Sequence, residues 1–128
     1  MKQAYVDTSW LVAIAFAEKG SEEAMKLLRS DLQVVSSNLL EAEVRSAFLR
    51  ENVEEDPGSI LEGIAWILPD RSLAPELGRV FESGLLKGAD AWHLACALYL
   101  DPGASALAFF SRDAAQRRVA RALGFSTP

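Results

Sequence analysis

Along the chain, short runs of β-like pattern alternate with longer stretches of helical period. The run QAYVD (3–7) predicts a strand, Trp10 to Ala17 a short helix, and Ser21 to Ser30 another, with Ala24, Leu27 and Leu28 at helical spacing. LQVVS (32–36) predicts a second strand. Asn38 to Arg50 then reads as a helix with Leu40, Val44, Ala47 and Phe48 on one side. Asp56-Pro57-Gly58 breaks the pattern before a helical turn or two and a third strand, WILP (66–69). Pro75 suits the start of a helix over Ala74 to Ser83, and Ala89 to Leu100 forms the next, stopped by Asp101-Pro102-Gly103. ALAFF (106–110) is a fourth strand, and Ala114 to Leu123 closes as a helix ended by Gly124.

Strands separated by helices imply right-handed crossovers and a parallel sheet covered on both faces. The expected class is therefore α/β, a three-layer α/β/α sandwich around a parallel sheet of four to five strands. The short ending GFSTP leaves room only for a rudimentary fifth strand. At 128 residues, half of them hydrophobic, the chain fits one domain spanning 1–128.

Composition narrows the function. No basic-then-apolar leader and no apolar run of bilayer-crossing length occur, so a soluble cytoplasmic protein without membrane contact is expected. A lone cysteine, Cys96, excludes an intrachain disulfide and reads as a small core residue. The net charge of −5 is the wrong sign for bulk attraction to nucleic acid, so any such contact must be local. The charges are segregated: Glu51, Glu54, Glu55, Asp56 and Glu62 crowd the middle, whereas Arg112, Arg117, Arg118 and Arg121 lie near the end. Each cluster is by default a solvated face.

Ligands of parallel α/β sheets bind beyond the carboxyl ends of the strands. Two strands here end alike, in YVDTS and FFSRD, which places Asp7, Ser9, Ser111 and Asp113 at one edge if both strands are central. These four and Thr8 all precede helices, and any of them could be an N-cap. With Ser9 and Ser111 available for capping, the aspartates are expected to be left over. Asp90 opens its helix four residues before the apolar stripe that Leu94 begins, and Glu43 flanks the stripe of its own helix, on the side opposite Glu41. Clustered carboxylates repel unless a cation neutralises them, and all-oxygen ligation favours Mg²⁺ or Mn²⁺. A phosphate ester is the natural substrate of such a site.

The ordered segments YVDTSWLVAIA, SSNLLEAEVRSAF, GADAWHLACAL and FFSRDAAQRRVARALGF resemble a PIN domain, in particular the VapC-like ribonuclease toxins of toxin–antitoxin pairs. The resemblance spans nearly the whole chain. It implies an Mg²⁺- or Mn²⁺-dependent endoribonuclease, a homodimer, and inhibition by a small antitoxin protein. The family's acids fall on Asp7, Glu43, Asp90 and Asp113, with Glu43 reached by counting six residues from Ser37; counting from Ser36 would land on Ala42. By the resemblance, Asp7, Asp90 and Asp113 are metal ligands, Glu43 binds metal or orients water, and Ser9 and Ser111 support the site. Lys87, Arg112, Arg117 and Arg118 are candidate RNA contacts. His93 stays outside the ligand set, as a packing or supporting residue. Where some relatives carry a further acid, this chain has Ala114-Ala115-Gln116, which bears on a second metal.

Rival classes fit less well. A receiver-like domain wants an acidic pair after the first strand and a lysine after the last, and a haloacid-dehalogenase-type phosphatase wants an aspartate where Ser9 stands. The remaining alternative is a PIN-like module of weak or no catalysis that binds RNA or protein.

Overall fold

The computed structural model describes residues 2–17, 21–29 and 32–128, the side chains at 24 and 27–29 excepted. The expected end of the second helix at Ser30 and its stripe of Ala24, Leu27 and Leu28 lie outside what is described. The elements run β1 (Lys2–Val6), α1 (Thr8–Ala15), α2 (Ser21–Arg29), β2 (Leu32–Ser37), α3 (Leu39–Arg50), α4 (Gly58–Leu61), β3 (Ala65–Ile67), α5 (Ala74–Ser83), α6 (Gly88–Leu100), β4 (Ala108–Phe110) and α7 (Ala114–Leu123).

All four strands pair in parallel, in the order β3-β2-β1-β4. The chain steps outward from β1 to β2 and β3, then returns past β1 to β4. Because parallel crossovers keep one hand, that reversal sends the later helices to the opposite face. Ala4, Val6 and Phe110 accordingly pack with Trp10 and Leu11 of α1 and with Leu40, Val44 and Phe48 of α3. Tyr5 and Phe109, their neighbours in sequence, point the other way and pack with Val80 of α5, Leu94 and Leu98 of α6 and Val119 of α7. The alternation along β1 and β4 thus makes two cores, one on each face of the sheet.

Element ends differ from expectation for local reasons. Residues 106 and 107 do not join β4, because Asp101 Oδ2 accepts both their backbone N–H groups at 3.0 Å and holds them as a loop. β3 stops at Ile67 ahead of Pro69, which has no N–H for a ladder. α1 starts two residues early, at Thr8, because Asp7 is its cap, and it is over by Ala17, whose φ of 51° is left-handed. The fifth strand is reduced to a single parallel bridge, Ala108 to Ser126, in which Phe109 N–H donates to the Ser126 carbonyl at 2.8 Å. Gly124, at φ 111°, turns the chain from α7 into this bridge.

Candidate active site

The point where strand order reverses lies between β1 and β4, and Asp7 stands just past it: its N–H donates to the Phe110 carbonyl at 3.1 Å. Its side chain caps α1, with Oδ1 accepting from Trp10 N–H at 3.2 Å and from Ser9 Oγ at 2.7 Å. Asp113 caps α7 in the same way, accepting from Gln116 N–H at 2.8 Å. The expectation that the serines would cap and leave the aspartates over is therefore corrected. A carboxylate has two oxygens, so it can cap with one and still present the other. The serines instead hold the acids: Ser9 Oγ accepts from Arg112 N–H at 3.0 Å, and Ser111 Oγ from Asp113 N–H at 3.0 Å.

Ser111 lies within 3.2 Å of Asp7 Oδ2 and 2.7 Å of Gln116 Oε1, and its one proton favours the shorter contact. Burial pushes the Asp7 carboxyl up to about 6, against the lowering effect of Ser9, His93, Trp10 and Ser111. Once protonated, Asp7 can donate to Ser111 Oγ. Gln116 is fully buried, and its amide nitrogen donates to the Asp90 carbonyl at 3.1 Å. It thereby ties the end of β4, the first turn of α6 and the first turn of α7 into one unit. Asp90 is half-buried; burial raises its carboxyl, and Asp113 and Glu43 raise it further, while His93 and Lys87 act the other way.

Glu43 lies on α3 and accepts from Thr8 Oγ1 at 2.7 Å; His93 Nε2 stands 2.8 Å from the same oxygen, Oε1. Burial raises its carboxyl, but the His93 and Thr8 hydrogen bonds outweigh that and hold it below the usual glutamate range. Glu41 is spent on Arg45, one turn along α3, at 2.9 Å. His93, expected only to pack or support, is buried between Glu43 and Tyr5, whose hydroxyl lies 2.6 Å from Nδ1.

Among the described residues, no three His, Cys, Asp or Glu side chains converge closely enough to cage a metal ion. Asp90 has Asp113 and Glu43 as charged neighbours, and Glu43 lines an opening together with Thr8 and Ser9. The all-oxygen chemistry of the acids fits a hard divalent ion that keeps most of its water and binds through one or two carboxylates.

Of the candidate RNA contacts, Lys87 and Arg118 are exposed, as is Arg112, whose backbone is anchored to Ser9. Arg117 is otherwise engaged. Its guanidinium donates to the carbonyls of Ser111 at 3.1 Å and Pro128 at 3.0 Å, and Arg121 donates to Thr127 Oγ1 at 2.7 Å. These arginines brace the C-terminal residues beside β4. Arg117→Ala is therefore expected to lower thermal stability by about 1–3 kcal/mol, whereas Arg118→Ala stays within about 0.5 kcal/mol of the wild type. Denaturant melts of the two variants decide it.

Sequence reasoning missed Tyr5 and Gln116, and took Thr8 only for a possible cap, whereas its hydroxyl donates to Glu43. Only the alternation of β1, which turns Tyr5 toward α6, offered a signal, since a buried phenol needs a polar partner.

A parallel α/β domain with a buried aspartate, Asp7, just past its strand-reversal point defines the class, and comparison with known families agrees. The family model described as PIN domain matches residues 4–122, so the chain belongs to the PIN domain family, whose members are typically nucleases. A search of curated proteins finds no match. No helix among the described residues is long and apolar enough to cross a membrane.

Proposed function

We propose that this protein is a metal-dependent endoribonuclease that hydrolyses RNA phosphodiester bonds, and that it serves as the toxin of a toxin–antitoxin pair. The observation that carries the reading is the position of Asp90, where burial first and then the charges of Asp113 and Glu43 disfavour its ionised form. A carboxylate placed among other acids in this way is stabilised by a bound cation.

Asp7, Asp90 and Asp113 would hold a largely hydrated Mg²⁺ or Mn²⁺, two of them directly and the third through a bound water, with Glu43 beside them. The ion would supply an activated water and offset the charge of the phosphate. Ser9 keeps Asp7 Oδ1 in place, and Gln116 sets Asp113 relative to Asp90. Glu43, kept ionised by its two hydrogen-bond partners, is suited to orient a water or to accept its proton. Lys87, Arg112 and Arg118 supply a local cationic rim for the RNA backbone. A homodimer working in the cytoplasm, held in check by a small antitoxin that brings a basic side chain to the acids, completes the reading.

The test is single-turnover cleavage of one RNA with Mg²⁺, with EDTA, and with EDTA followed by Mn²⁺. Cleavage lost in EDTA and restored by Mn²⁺ is expected. Cleavage indifferent to EDTA would overturn the metal role, and RNA binding without cleavage would leave a non-catalytic module.

A further inference from the structure

The metal-facing acids leave one buried polar chain unexplained, that of Ser37, Tyr5, His93 and Glu43. Tyr5 and His93 are both essentially excluded from solvent, so every polar atom on them must be paired within the protein. Ser37 N–H donates to the Tyr5 hydroxyl at 3.2 Å, which occupies one acceptor site of the phenol. The same hydroxyl lies 2.6 Å from His93 Nδ1. On the other side of the ring, Glu43 Oε1 is 2.8 Å from Nε2, and an ionised carboxylate can only accept. Nε2 therefore carries the proton of the neutral ring, and Nδ1 accepts from the phenol. The opposite tautomer would set an imidazole lone pair against the Glu43 carboxylate. Ring packing restrains the pair: Tyr5 stacks on Phe109 at 5.2 Å between centroids, and His93 meets the Tyr5 ring edge-on at 5.7 Å.

We propose that Tyr5 and His93 are positioning residues for Glu43: the Tyr5 hydroxyl selects the Nε2–H tautomer of His93, whose donated hydrogen bond, with that of Thr8, fixes the Glu43 carboxylate toward the opening. This rests on the reading of Glu43 as an acid of the active site. The device reaches from the centre of β1, through α6, to α3, so it couples the site to both cores of the fold. Partners of this kind, one bond removed from a working carboxylate or ligand, typically change activity about 10–100-fold.

The test has two arms. His93 is the only histidine of the chain, so the ¹⁵N spectrum of its ring in metal-free protein reports one tautomer without assignment ambiguity. The wild type is expected to show an unprotonated Nδ1 and a protonated Nε2, and Tyr5→Phe to lose that single fixed pattern. In single-turnover cleavage, Tyr5→Phe and His93→Leu are expected to slow the chemical step by about 10–100-fold with RNA affinity unchanged. His93→Gln, whose amide can replace the Nε2–H donor, is expected to recover most of the rate. This pair keeps the test alive if Tyr5→Phe fails to fold. A wild-type ring protonated on Nδ1 would overturn the proposal. So would wild-type rates in folded His93→Leu, or a His93→Gln variant as slow as His93→Leu. If the wild type cleaves no RNA, the nuclease reading falls, and the spectrum alone still decides whether the chain of hydrogen bonds runs as stated.

Discussion

Asp7→Asn is expected to abolish metal-dependent RNA cleavage and to leave a folded protein that is as stable as the wild type or more so near neutral pH. The two effects share a cause. Asp7 is buried, and its carboxyl is pushed up to about 6 because ionising it there forfeits water. A rise from 3.8 to about 6 corresponds to roughly 3 kcal/mol of strain in the ionised, metal-free state, an upper limit on what neutralising the residue can return. Asparagine keeps an oxygen for the Trp10 and Ser9 donors and places its amide toward Ser111, so the local hydrogen bonds survive. The sign with pH follows from linkage. The folded-state value lies above the unfolded one, so the native state holds the proton more tightly and wild-type stability falls as pH rises through that window. The gain of Asp7→Asn over wild type should vanish well below the unfolded value of 3.8, grow as pH rises to about 6, and then level off. Denaturant melts of both proteins across that range, in EDTA, measure it. A gain that shrinks with rising pH would mean that Asp7 is ionised at little cost.

The second large effect separates two glutamates on one helix. Glu43→Gln is expected to slow cleavage by about 10²–10⁴-fold, the scale for removing a group that orients or deprotonates water, while Glu41→Gln changes the rate little. Glu43 is held by Thr8 and His93 beside Asp90, whereas Glu41 pairs with Arg45 on the solvent side of α3. Losing an exposed pair of that kind costs about 0.3–0.5 kcal/mol, too little to disturb α3. Single-turnover rates at saturating Mg²⁺, with melts to confirm folding, compare the two. A Glu41→Gln variant slower than Glu43→Gln would place the working face of α3 on the wrong side.

Hydrophobic period was enough to locate the strands and helices of a parallel sheet along the chain, because Tyr5, Val35 and Phe109 sit in short apolar runs and Leu94 and Val119 at helical spacing. Strand ends were less legible. Asp101 withdraws residues 106 and 107 from β4 through a side chain that the apolar pattern of ALAFF does not register. The acids at the strand ends stood out as residue types, but their local duties did not. Serine and aspartate are equally good caps, and nothing in YVDTS or FFSRD says which of them takes the helix N–H. The Tyr5–His93–Glu43 chain was out of reach because it joins residues brought together only by the strand order β2-β1-β4, and periodicity does not determine strand order. Arg117 was misleading for a similar reason: a cation one turn past Asp113 reads as a rim for phosphate until the C-terminal carbonyls it binds are in view.

The central claim is that Asp7 and Asp113, just past β1 and β4, and Asp90 of α6 together bind the catalytic ion. The most direct measurement is the anomalous difference map of a crystal soaked in Mn²⁺. The account predicts a peak within coordination distance of at least two of Asp7, Asp90 and Asp113. A fully occupied Mn²⁺ elsewhere on the molecule, with those three carboxylates left unliganded, would contradict it.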